Sequence, residues 1–224
     1  MGRLASHVLL MYGMSWENSQ ASTGVASPPP WLVVIAASAG GIQATSQVLA
    51  ALPVNFPAAV AVVQHRTRRP FGYLARILDR ASRLPVVYAR DGQAIAPGVV
   101  YVAPSDLHLT VVDGHFAHVD GRRISFVWSS ANPLLESAAP RFRDHLIAVV
   151  LTGGGSDATD GVQIVKANGG IVIAQDQATS QLWGMPGSAV RSGAVDYVLP
   201  LDAIGPALDA LVHGRPVPDG VGAT

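Results

Sequence analysis

The stretch Val33-Val34-Ile35-Ala36-Ala37-Ser38-Ala39-Gly40-Gly41 passes from an unbroken aliphatic run into residues too small to crowd a turn. The run has the length and composition of a buried strand, and residues 42–52 then carry apolar side chains at helical spacing. The segment reads as strand, tight turn, helix. Ser38 stands at the apex between alanines and glycines, where a sharp backbone path lifts Oγ clear of bulk and helix N-terminal N–H groups converge. A nucleophilic serine is often displayed in this way. A serine that merely caps the helix has the same local sequence, so the architecture is legible here before the chemistry.

Working outward, short aliphatic runs alternate with helical patterns from residue 31 onward, which predicts an α/β fold: a doubly wound, mostly parallel sheet flanked by helices. Strands are expected at 58–64, 85–88, 146–152, 171–175 and 197–199, with 146–152 a central one. Helices are expected at 71–81, 132–145, 158–168 and 201–212, and Pro186 opens one more short helix. Residues 107–112 and 115–119 flank Asp113-Gly114 and read as an inserted β-hairpin.

The 224 residues suffice for one substantial core. Charged residues make up 13%, formal net charge is zero, and nothing in that balance points to nucleic acid or an anionic membrane as partner. The absence of cysteine excludes disulfides, thiolate metal sites and a cysteine nucleophile together. No apolar run is long enough to span a bilayer. The start, with Val8-Leu9-Leu10-Met11 followed by Trp16-Glu17-Asn18, lacks a signal peptide's long apolar run and small-residue cleavage site, so a cytoplasmic setting is expected.

In open α/β sheets chemistry gathers at the carboxyl ends of the strands. Ser38, His65 and Asp157 each follow closely on a predicted strand. A serine, a histidine and an aspartate can form a relay in which imidazole takes the serine proton and the carboxylate holds the correct tautomer. The chain order is Ser, His, Asp, unlike that of the α/β-hydrolases, and Ala36 replaces the first glycine of their G-x-S-x-G turn. Each residue alone has a structural alternative: Ser38 a helix cap, His65 a strand-end ring bonded to a carbonyl, Asp157 a cap for the helix beginning near 158. Asp160 is a rival carboxylate, one turn further into that helix on its solvent side. Three coincidences at strand ends favour one site over three caps.

The segments Ile35-Ala36-Ala37-Ser38-Ala39-Gly40-Gly41, Val63-Gln64-His65 and Leu151-Thr152-Gly153-Gly154-Gly155-Ser156-Asp157 resemble the three active-site motifs of the CheB-type protein-glutamate methylesterases of bacterial chemotaxis. Asp91-Gly92, the run Tyr101-Val102-Ala103-Pro104-Ser105-Asp106-Leu107-His108, Ile173-Ala174-Gln175-Asp176 and Gly184-Met185-Pro186 extend the likeness across residues 33–212. The resemblance implies Ser38 as nucleophile, His65 as general base and acid, and Asp157 as its orienting carboxylate. It further implies hydrolysis of glutamate methyl esters on the cytoplasmic helices of methylated chemoreceptors, with glutamine deamidation in some relatives, and no cofactor or metal. Backbone N–H groups of Ala39 and Gly154 are the oxyanion candidates. The implied organisation is a flexible leader over 1–30, a methylesterase catalytic domain over 31–213 and a flexible tail over 214–224.

Departures from the family pattern are local. About thirty residues precede the first strand, too few for the receiver domain that relatives carry, so the expectation is either a free-standing, constitutively open enzyme or one regulated by another protein in trans. Ala39 stands where threonine is common and Gly154 where methionine is common. Between 124 and 136 the chain carries Phe126-Val127-Trp128-Ser129-Ser130-Ala131-Asn132-Pro133 in place of a His/Arg-Pro-Ser-Val-Asp signature. An altered substrate groove would follow if that segment lines it. Arg66, Arg68 and Arg69 read as a patch steering acidic receptor helices, as like charges depressing the His65 pKa, or as an ordinary solvated basic turn. His108, His115 and His118 are expected away from the sheet's carboxyl edge and not to hold a metal; Trp183 and Met185 are expected to pack. The rival readings are the same triad acting on another ester or amide, a non-catalytic module that binds a partner helix, and a nucleotide-binding domain. The last is disfavoured because no phosphate-binding glycine motif follows a strand.

Overall fold

The computed structural model describes residues 30–65, 73–120 and 129–218. The leader, Arg66, Arg68 and Arg69, the Phe126–Trp128 part of the divergent segment and the end of the tail lie outside the described residues.

Trp31–Ala37 forms β1, and six of its seven residues are buried because both faces of the strand are covered. The chain continues through helix α1 (Gly41–Ala51), β2 (Ala58–Gln64), α2 (Leu74–Asp79), β3 (Val86–Tyr88) and β4 (Val100–Val102). The hairpin β5 (His108–Val112) and β6 (His115–Val119) follows, then α3 (Asn132–Phe142), β7 (Leu146–Val150) and α4 (Thr159–Ala167). The described chain closes with β8 (Ile171–Gln175), α5 (Gly184–Arg191), β9 (Tyr197–Leu199) and α6 (Leu201–Val212). Among the described residues seven strands form one sheet in the order β3-β4-β2-β1-β7-β8-β9. Every strand pairing in it is parallel, so the sheet is more uniform than the mostly parallel one expected. The centre is β1, with the more apolar β7 beside it.

Alternation along each strand divides the core into two layers. Leu32, Val34 and Ala36 of β1 face α3, α4, α5 and the hairpin. Val33, Ile35 and Ala37 face α1, α2 and α6. The hairpin turns through Asp113 and Gly114, both at positive φ (49° and 80°), the left-handed geometry an Asp-Gly pair supplies. It packs onto the α3 side of the sheet, where the Phe116 ring meets that of Tyr101 edge-on at 4.9 Å, and the Val111 N–H donates to Ser137 Oγ of α3 at 2.9 Å.

The expected short helix at Pro186 begins two residues earlier, at Gly184. The helix expected to end at 145 is α-helical to Phe142 and closes as a 3-10 turn over Arg143–His145. Helix α6 crosses α1 closely because Gly205 has no side chain; a Cβ there would lie 2.5 Å from Ala51 Cβ and 3.2 Å from the Val48 carbonyl oxygen. Substituting Gly205→Ala is therefore expected to destabilise the protein by about 1–3 kcal/mol, read as a lower urea midpoint with an unchanged slope. An unchanged midpoint would mean that α1 and α6 separate without cost.

Candidate active site

The connection after β1 leads to β2 on one side of the sheet, and that after β7 leads to β8 on the other. The loops therefore diverge between the carboxyl ends of β1 and β7, the place where such sheets bind ligands. Ser38 follows β1 directly. Ala37 pairs in register with Gln64, so Ser38 and His65 occupy the next level of adjacent strands, and the His65 N–H continues the ladder by donating to the Ala37 carbonyl at 2.9 Å. Neighbouring parallel strands lie roughly 4.8 Å apart, so register sets the two residues side by side on adjacent strands, although among the described residues no hydrogen bond joins Ser38 Oγ to the His65 ring.

The backbone of Ser38 is pinned from three directions. Its N–H donates to the Thr152 carbonyl at 3.0 Å, and its own carbonyl accepts from the Gly41 N–H at 2.9 Å and from Gln64 Nε2 at 2.7 Å. Thr152 is held in turn, since its N–H donates to Gln175 Oε1 of β8 at 2.8 Å. Gly40 takes φ 77° at the start of α1 and is the helix cap, so Ser38 is not the capping residue. Ser38 is half-buried, and Ala39 and Gly154 beside it are exposed. Among the described residues neither the Ala39 nor the Gly154 backbone N–H donates to a protein acceptor. Both are unspent donors at the mouth of the crevice.

His65 Nε2 donates to Asp157 Oδ2 at 2.7 Å. The His65 ring is 6% exposed and the Asp157 side chain 3% exposed. This bond leaves Nδ1 as the ring nitrogen that the carboxylate does not engage. Asp157 Oδ1 accepts from Ser130 Oγ at 2.5 Å, and Oδ2 accepts also from the Ala131 N–H at 2.8 Å. Burial by itself raises the Asp157 carboxyl, but the His65 hydrogen bond and charge, with the Ala131 and Ser130 donors, outweigh it and hold the group below its ordinary value. The carboxylate is thus a fixed anion. It does not cap α4: Ala158 occupies the cap position at φ 74°, with no side-chain capping bond. Asp160 is exposed, as expected of a solvent-side residue.

A family model of the CheB methylesterases matches residues 33–208 of this sequence. The chain belongs to the CheB methylesterase family. It is 42% identical over 179 residues to protein-glutamate methylesterase/protein-glutamine glutaminase 2 of Caulobacter vibrioides, covering 78% of this chain and 52% of the relative. It is 42% identical over 191 residues to protein-glutamate methylesterase FrzG of Myxococcus xanthus, covering 84% of this chain and 57% of that protein. The chain therefore spans little more than half the length of these two relatives. The crystal structure of the Thermotoga maritima CheB methylesterase catalytic domain superposes with a TM-score of 0.79 at 40% identity, covering 82% of this chain and 99% of that one.

Against this CheB fold, several supporting residues escape a reading of the sequence. Ser130 and Ala131 belong to the divergent segment, yet they lie beneath Asp157 and hold its carboxylate. The described part of that segment is support for the site. Asn132 binds the layer below: its N–H donates to Ser130 Oγ at 3.2 Å, and its Oδ1 accepts from the Gly161 N–H at 2.9 Å. Nothing in the spacing of Ser130 from Asp157 signals this contact; an Asn-Pro helix start is the one local cue. His108 also departs from expectation. It was expected away from the sheet's carboxyl edge, but its Nδ1 accepts from the Ser130 N–H at 3.2 Å. His118 Nε2 donates to the Ala89 carbonyl at 3.0 Å, and His115 Nδ1 to the Asp113 carbonyl at 3.1 Å. Among the described residues no cluster of three His, Asp or Glu side chains is placed to hold a metal ion. Met185 is fully buried, and Trp183 Nε1 donates to the Gln175 carbonyl at 3.3 Å, so both pack.

Because folding lowers the Asp157 carboxyl, its stabilising contribution is complete above the unfolded value of about 3.9 and is lost as pH falls through the folded value. Urea midpoints are expected to fall more steeply on acidification below about pH 4 for the wild type than for Asp157→Asn. Parallel pH profiles would mean that the carboxylate gains nothing on folding.

Proposed function

We propose that this chain is a serine hydrolase that demethylates glutamate methyl esters on chemoreceptor-type proteins in the cytoplasm and deamidates glutamine at equivalent positions. Ser38 is the nucleophile, His65 the proton carrier and Asp157 the group that orients and stabilises the imidazolium. The observation that carries this reading is the buried His65–Asp157 hydrogen bond at the sheet's switch point, on the strand next to Ser38. The names of the relatives supply the substrate class. Among the described residues no helix is long and apolar enough to cross a membrane, and the proposed substrate is the receptor's soluble portion.

In the acylation step Ser38 Oγ attacks the ester carbonyl carbon while its proton passes to His65 Nδ1. The carbonyl oxygen becomes an oxyanion facing the Ala39 and Gly154 N–H groups, which are free to donate as the charge develops. Collapse breaks the bond to the methoxy oxygen, which leaves as methanol with the proton from His65. Water then repeats the sequence on the acyl-serine, giving glutamate and free Ser38. With a glutamine the same route expels ammonia. No cofactor enters the balance. A non-catalytic module would have no use for a buried charge aimed at a ring on the strand beside an accessible serine.

Methanol release from a glutamyl-methylated chemoreceptor fragment is the test. Ser38→Ala is expected to lose on the order of 10⁴ to 10⁶ of the rate, with unchanged thermal stability. Equal release from both proteins would remove Ser38 from the mechanism. No release from wild type, together with Ser38-dependent turnover of an activated aryl ester, would keep the triad and move the substrate.

A further inference from the structure

His108 is a buried titratable residue that the proposed reaction does not use. Its side chain is 2% exposed, at the first position of β5, on a hairpin that looks peripheral in the topology. Its Nδ1 lies 3.2 Å from the Ser130 backbone nitrogen. A backbone N–H can only donate, so Nδ1 accepts and carries no proton. Ser130 is fully buried and passes the constraint on: its Oγ donates to Asp157 Oδ1 at 2.5 Å, and the next residue's N–H donates to Asp157 Oδ2 at 2.8 Å. Among the described residues, two of the three donors to the Asp157 carboxylate therefore come from the short segment that His108 anchors.

We propose that His108 is a positioning residue for the His65–Asp157 pair, acting through Ser130 and Ala131. The inference rests on the esterase reading above. Its physical content is orientation. Asp157 leaves a loop, where backbone freedom is greatest, and a carboxylate that rotates ceases to hold the imidazole for the serine. His108 sits on a platform that does not rotate: Leu109 and Phe116 are buried, and the hairpin is tied to α3 through Ser137. An acceptor fixed to that platform sets the path of residues 130 and 131, and thereby both donors to Asp157. The linkage runs His108, Ser130, Asp157, His65.

Three substitutions separate this role from simple packing. The side-chain oxygen of Asn reaches the place of Nδ1, that of Gln the place of Nε2, and Leu fills space without an acceptor. His108→Leu and His108→Gln are expected to lower kcat for methyl-ester hydrolysis by roughly tenfold or more, by analogy with the outer partners of metal-bound histidines, with KM changed little. His108→Asn is expected to restore most of the loss. In a Ser130→Ala background, where only the Ala131 N–H still links the segment to Asp157, His108→Leu should cost clearly less than in the wild type, since neighbours on one path are not additive. The low-field proton resonance of the His65–Asp157 hydrogen bond reports on the same arrangement without turnover; it should shift or broaden with Leu and Gln and persist with Asn. Wild-type kcat and an unmoved resonance in His108→Leu would overturn the proposal. So would better function with Gln than Asn, or full additivity with Ser130→Ala. If the leucine variant fails to fold, the Asn–Gln contrast decides alone. If no methyl ester is turned over by wild type, the resonance still tests His108 while the substrate reading fails separately.

Discussion

A carboxylate that is 3% exposed cannot stand alone in a folded protein. Removing one charge from water costs several kcal/mol unless donors replace the lost hydration, and the structure around Asp157 is an answer to that demand. His65, Ser130 and Ala131 each donate to it, from β2's end and from the entry to α3, elements about ninety residues away from Asp157 or nearly thirty before it. Placing the anion at the sheet's switch point forces β2, α3 and the loop after β7 to agree in register. The serine side of the site is less demanding. There a small-residue turn and a backbone pinned by Thr152, Gly41 and Gln64 suffice.

Where the chain's own chemistry is local, its sequence declares it. β2, β8, β9 and α6 fall where aliphatic runs and helical spacing put them, and the Asp-Gly hairpin adopts the turn its residues favour. The His65–Asp157 pair was legible because each residue ends or follows a strand, and strand ends converge by topology; Ser38 was singled out on the same ground and lies on the adjacent strand. Ser130, Ala131, Asn132 and His108 were not, because two of their decisive groups are backbone N–H donors, which every residue but proline possesses. Pairing of that kind leaves no compositional trace. The role of Asp157 as a helix cap was plausible from the sequence and is excluded by the left-handed Ala158, which no local pattern announces.

The site also shows how one chemistry is reached from a different frame. In the trypsin-type arrangement the carboxylate meets Nδ1 of the imidazole and the serine meets Nε2. Here the carboxylate takes Nε2, and Nδ1 is the nitrogen that the proposed mechanism assigns to the serine. The proposed inversion suits the topology: His65 leaves a strand adjacent to the serine's own, and its Nε2 reaches across to the loop that carries Asp157. What the reaction requires is a base with its second nitrogen occupied, and the parallel sheet meets that requirement in its own way.

The order of strands has a consequence for how the protein is made. β2 joins β1 as soon as both have left the ribosome, but the strand that covers the other edge of β1 begins at Leu146, roughly eighty residues after β2 ends. At about 5–20 residues per second the central, buried strand β1 spends on the order of ten seconds with an unpaired edge during synthesis. Its nascent chain is a template for wrong pairing in that interval. A chaperone that holds extended apolar segments would find its natural occupant here, and faster completion of β7 would relieve the need for it.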